Sequence, residues 1–169
     1  MPDLYIIAGP NGAGKTTASM TILPAHLHVN EFVNADSIAV GLSPFNPEDV
    51  AIQAGKLMLQ RIESLLNESQ NFAIETTLSS KNYLNLIDKA QREGYTVTLI
   101  YIWLESADQA KARVKYRVLN GGHNIPESTI ERRYYRGLKN LINCYLAKAD
   151  NWYIINNSTP KVNLIAEGS

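Results

Sequence analysis

The sequence predicts a three-layer α/β fold, with a mostly parallel central sheet and a small helical lid. Short apolar runs alternate with longer, helically spaced segments along the chain. The runs are apolar on nearly every residue, as strands covered on both faces are. A glycine-rich segment joins the first run to the first helix, which is where an open parallel sheet places its ligand site.

The first strand is Leu4 to Ala8, entered with no basic leader or small-residue cleavage site. A second short strand, Phe32 to Val33, precedes a segment starting Ser37-Ile38-Ala39. Val50, Ala54, Leu57, Met58, Ile62 and Leu65 then recur at helical spacing. The third strand is Phe72 to Ile74, and the helix after it, marked by Leu84, Ile87 and Ala90, should stop at Gly94. The fourth strand is Val97 to Leu104. Two helices follow, with apolar stripes Ala110, Val114, Val118 and Ile130, Tyr134, Leu138, Leu141, Tyr145. The turn Asn120-Gly-Gly-His-Asn-Ile-Pro126 between them makes residues 113–136 a candidate lid. Trp152 to Ile155 is the fifth strand.

A chain of 169 residues suits one domain, 1–169, and 45% hydrophobic with 19% charged residues excludes a disordered chain. Sixteen basic and sixteen acidic residues leave no overall field to attract nucleic acid or an anionic membrane. No apolar run approaches the ~20 residues of a membrane span, and a cytoplasmic protein is expected. Cys144, the single cysteine, excludes an intrachain disulfide and a four-cysteine zinc site and is expected to be a buried structural thiol. Charge is nonetheless local: residues 111–139 carry eight basic and two acidic side chains.

Gly9-Pro-Asn-Gly-Ala-Gly-Lys-Thr16 has the spacing of a phosphate-binding loop, with a strand before it and a helix after it. Gly9, Gly12 and Gly14 allow successive N–H groups, with those of Pro10-flanking Asn11 and Ala13, to line an anion-sized concavity at the helix N-terminus. Lys15 would reach the β- and γ-phosphates of ATP, and Thr16, beside Thr17, would hold Mg²⁺ through its hydroxyl. After the second and third strands come Asp36 and Glu75. Asp36 either caps a helix or accepts a proton from an attacking hydroxyl. Glu75 either pairs with a nearby cation, binds Mg²⁺ through water, or anchors a substrate hydroxyl. Thr76 and Thr77 either contact a polar substrate or serve as turn residues. Arg113, Arg117, Arg132, Arg133 and Arg136 either form a solvated face or bring guanidinium forks onto phosphates. His123 has no second ligand at metal spacing and stands as a phosphate or substrate contact, while His26 and His28 read as surface residues.

Taken together, the phosphate loop through Thr17, Asn34-Ala-Asp36-Ser-Ile-Ala39, Glu75-Thr76-Thr77-Leu-Ser79, and Gly121-Gly-His-Asn-Ile-Pro126 followed by Arg132, Arg133 and Arg136 resemble the zeta toxin family of P-loop kinases. The resemblance runs from Leu4 to Asn157. It implies an ATP-dependent kinase that phosphorylates a sugar hydroxyl of UDP-N-acetylglucosamine and is restrained by a small helical antitoxin. It also implies Lys15 and Thr16 as ATP and Mg²⁺ ligands, Asp36 as base, Glu75 as the carboxylate that positions the substrate, and Arg136 as a lid arginine. Family members carry an arginine shortly before the lid proline where this chain has His123, which leaves Arg117 or Arg113 to do that work. A P-loop ATPase and a nucleotide-binding module without transfer are the rival readings.

Overall fold

The computed structural model describes residues 1–169. One six-stranded sheet is built from β1 (Asp3–Ala8), β2 (Glu31–Val33), β3 (Phe72–Thr76), β4 (Thr96–Trp103), β5 (Asn151–Asn156) and β6 (Asn163–Gly168), in the order β2-β3-β1-β4-β5-β6. All neighbours are parallel except β5 and β6. Register sets Ala8 beside both Thr76 and Tyr101, so β1 and β3 end level at one rim while β4 runs two residues further to Trp103. The helices are α1 (Lys15–His26), α2 (Ala35–Leu42), α3 (Ala51–Asn67), α4 (Asn82–Arg92), α5 (Ala107–Leu119) and α6 (Glu127–Asn140). A 3₁₀ turn, Pro47–Val50, leads into α3, and a π turn, Leu141–Tyr145, ends α6.

Alternation along the strands feeds two cores. Leu4, Ile6, Phe72, Ile74, Leu99 and Tyr101 pack with Met58 and Ile62 of α3, Ile87 of α4 and Tyr145. On the other face Ile7, Ala73 and Ile102 pack with Leu23 of α1, Ala110 and Val114 of α5, and Ile130 and Tyr134 of α6. Each fully buried aliphatic or aromatic side chain contributes about 1.5–3 kcal/mol, which makes the α5 and α6 stripes the reason the lid helices stay docked.

The sixth strand was not legible in the sequence. Leu164 and Ile165 are about half exposed on this antiparallel edge, and the ladder is irregular between Ile154 and Ile155, so no clean alternation marks it. Cys144 is half-buried against the core instead of fully enclosed.

The C-terminal part of α6 grips the loop that follows β3. Asn140 Nδ2 donates to Leu78 O at 2.7 Å, and the Tyr145 hydroxyl donates to Ser80 O at 2.8 Å. Leu78 is held at φ 56°, a left-handed conformation that is costly for a non-glycine residue, with its side chain completely buried. Gly137 lets the helix approach: a Cβ there would stand 2.5 Å from Thr77 O. Helix propensity alone makes Gly137→Ala stabilising by about 1 kcal/mol. Crowding against a carbonyl makes it destabilising by roughly 1–3 kcal/mol, and a lowered melting temperature in thermal unfolding is the expected result.

Candidate active site

Helix α1 begins on Gly14, which offers no side-chain cap, and its first turn has no acidic residue. The N–H groups that open the helix are therefore directed at the loop before it, the arrangement that accepts phosphate oxygens. Lys15 is buried and folds back, its Nζ donating to Pro10 O at 2.9 Å. Burial pushes the Lys15 ammonium below its ordinary pKa, partly offset by Glu75 and Asp36.

Glu75 is the meeting point of the rim. Its Oε2 accepts from the Thr16 hydroxyl at 2.8 Å and from Asn34 Nδ2 at 2.9 Å. Burial raises the Glu75 pKa above the ordinary carboxylate range, opposed by Lys15 and these two donors. Asn34 is 7% exposed, and its Oδ1 also accepts from the N–H groups of Asp36 and Ser37, capping α2. Asn34, and not Asp36, is therefore the cap of α2. The Asp36 carboxylate is left exposed in the first turn of α2, facing the same cleft.

That cleft is about 1100 Å³, at the upper end of small-molecule sites and roomy enough for a nucleotide beside an acceptor. Gly12, Gly14, Lys15, Thr16 and Thr17 of the phosphate loop and the start of α1 line it. Ser37, Val40, Thr76, Thr77, Ser79, Ser80 and Tyr83 also line it, and the Thr77 and Ser79 hydroxyls lie 2.9 Å apart. Asn11 lines the cleft, while Gly9, Pro10 and Ala13 are buried behind it.

The arginines divide. Arg113, Arg117 and Arg133 line the cleft. Arg113 Nη2 donates to Asn157 O at 2.6 Å, Arg117 Nη2 to His123 O at 3.2 Å, and Arg133 Nη1 makes a long 3.4 Å contact with Asn11 Oδ1. Arg132 and Arg136 are exposed on α6 and do not line it, because the α6 stripe of Ile130, Tyr134 and Gly137 turns Arg133 inward and leaves them on the outer side. His123 does not line the cleft either: its Nε2 lies 2.9 Å from Glu48 Oε1, which joins the α5–α6 turn to the 3₁₀ turn before α3.

Two asparagines carry roles that the sequence did not assign to them. Asn34 carried the signal of an N-cap directly after a strand. Asn157 directly follows β5, at a strand end like Asp36 and Glu75, and that position is its signal.

A glycine-rich loop at a helix N-terminus, beside carboxylates on the carboxyl rim of a parallel sheet, defines the nucleotide-using P-loop class. The Zeta toxin family model matches residues 1–166, and the chain belongs to that family. It is a phosphotransferase with a P-loop kinase fold. It is 32% identical over 126 residues to an uncharacterized protein of Haemophilus influenzae, covering 75% of this chain and 88% of that one. A structure from the PezAT chromosomal toxin–antitoxin system of Streptococcus pneumoniae superposes with a TM-score of 0.75 at 18% identity, over 99% of this chain and 72% of that chain. The AvrRxo1-ORF1:ORF2 structure with ATP superposes with a TM-score of 0.79 at 16% identity, over 99% of this chain but only 58% of that one. A shikimate kinase from Acinetobacter baumannii with shikimate gives a TM-score of 0.53 at 20% identity, over 95% of this chain and 85% of that one.

Because burial raises the Glu75 pKa, the native state binds its proton more tightly than the unfolded chain does. The stability this group contributes then falls as pH rises from the ordinary carboxylate value through the raised one. Glu75→Gln lacks that titration. Its melting temperature relative to the wild type is expected to increase progressively from pH 4 to pH 7, and a difference independent of pH would place Glu75 at its ordinary value.

Proposed function

We propose that this protein transfers the γ-phosphate of ATP to a hydroxyl of a nucleotide-sugar of the UDP-N-acetylglucosamine type. The observation that carries the reading is one cleft lined together by a phosphate loop, by Asp36 and Glu75, and by the hydroxyls of Ser37, Thr76, Thr77, Ser79 and Ser80. Neither a module that only binds nucleotide nor an ATPase needs this set of hydroxyls and carboxylates, which suits a polar acceptor.

The Asp36 carboxylate, exposed and free of the capping duty, accepts the proton of the acceptor hydroxyl as the new O–P bond forms and the bond to the departing ADP oxygen breaks. Glu75, Thr76 and Thr77 hold the acceptor in reach. Lys15 and the N–H groups of the loop take the phosphate charge. The oxygen donors Thr16 and Glu75, 2.8 Å apart, suit Mg²⁺, a hard cation. When bound there, Mg²⁺ neutralises charge on the β- and γ-phosphates. Of the lid residues, Arg113, Arg117 and Arg133 have the position to stabilise transferring charge, and we assign them the part that the family resemblance gave to Arg136.

The resemblance and the toxin–antitoxin setting of the PezAT relative support a toxin role in the cytoplasm, with a small helical antitoxin as partner. The assay is transfer of labelled phosphate from ATP to UDP-N-acetylglucosamine, and its absence across a panel of nucleotide-sugars would overturn the acceptor.

Lys15→Ala is expected to weaken ATP binding and abolish transfer. Asp36→Asn should leave ATP affinity intact and lower kcat by about 10²-fold or more, the usual worth of a general base. Full activity in the second variant would remove Asp36 from the role. For the lid, Arg133→Ala should cost at least about tenfold in kcat, roughly 1.4 kcal/mol of barrier, with Arg136→Ala staying within about twofold. Equal losses in steady-state assays would show that α6 turns on closing.

A further inference from the structure

Asn157 joins three parts of the site without lining the cleft that holds them. Its Nδ2 donates to Ala13 O, inside the phosphate loop, at 2.8 Å. Its carbonyl accepts from Arg113 Nη2 at 2.6 Å, and its N–H continues the β4–β5 ladder by donating to Trp103 O at 3.0 Å. Gly14 closes the arrangement from the other side: a Cβ there would stand 3.0 Å from Asn157 Nδ2. The following residue extends the tie, since Ser158 Oγ accepts from Glu105 N at 2.8 Å and Ser158 O accepts from Gln109 Nε2 at 2.6 Å.

A phosphate loop binds with backbone N–H groups, so the orientation of each peptide plane decides where its donor points. The Ala13 carbonyl belongs to the same peptide plane as the Gly14 N–H. Pinning that oxygen to a side chain anchored in the sheet fixes the opposite end of the plane, and with it the donor aimed at phosphate. Ala13 is completely buried, so its carbonyl depends on a protein donor, and Asn157 gives that donor a fixed direction.

We propose that Asn157 is a positioning residue for nucleotide binding, holding the Ala13–Gly14 peptide in its phosphate-binding orientation and docking Arg113 beside it. This rests on the reading of Gly9–Thr16 as a nucleotide site. Its signature is a loss of nucleotide affinity out of proportion to any loss of stability.

The test is titration with a fluorescent ATP analogue, paired with thermal unfolding of the same samples. Asn157→Ala is expected to raise the dissociation constant at least about tenfold, or 1.4 kcal/mol. Asn157→Asp keeps the shape but replaces the donor with an anion facing a carbonyl, and should bind more weakly still. Ser158→Ala breaks the neighbouring tie to Glu105 without touching the phosphate loop. It is expected to lower the melting temperature while binding the analogue within twofold of the wild type. Wild-type affinity in Asn157→Ala, or an equal affinity loss in Ser158→Ala, would overturn the assignment. Failure of the unsubstituted protein to bind the analogue would defeat the nucleotide reading itself, and this assignment with it.

Discussion

The Glu75 carboxylate is the interaction on which the site depends. It sits at the end of β3, between β2 and β1, and receives one donor from the start of α1 and one from the start of α2. A half-buried carboxylate with two directed donors sets the distance between the phosphate loop and the segment bearing Asp36. It does so at a cost, since burial opposes its charge and that of Lys15 together. Two desolvated opposite charges of this kind would be a poor means of adding stability. It is a good means of keeping a cation and a carboxylate poised at a rim where further charge arrives.

Asn34 shows how economically the rim is assembled. One amide group caps α2 with its oxygen and steadies Glu75 with its nitrogen. Because the cap is taken by Asn34, the carboxylate two residues later is released into the cleft. Local helix chemistry and the availability of Asp36 are therefore one decision about two side chains two residues apart.

What the sequence made legible was whatever recurs with a fixed period or spacing. The phosphate loop, the parallel strands and the carboxylates at strand ends all follow from chain-local patterns, and each lies where those patterns put it. The edge strand β6 did not, because its residues are half exposed on both sides and leave no alternation to read. Arginine positions on α6 were harder for another reason. A helical wheel gives the angle of Arg133 relative to Arg136, but which angle meets the cleft depends on the packing of Gly137 against Thr77, a contact 60 residues apart in the chain. His123 was misplaced in the same way, since its partner Glu48 lies on an element far upstream.

The grip of α6 on the loop after β3 makes that helix a ruler. Arg133 reaches the phosphate loop and Asn140 reaches Leu78, seven residues later, which is close to two turns and about 10 Å along the axis. The phosphate loop and the loop after β3 are thus spaced by a count of residues, not by an adjustable linker. Deleting or inserting one residue between them would rotate one contact by about 100° away from the other. Chains that diverge from this one should therefore tolerate length changes in the Asn120–Pro126 turn far more readily than anywhere along these two turns of helix.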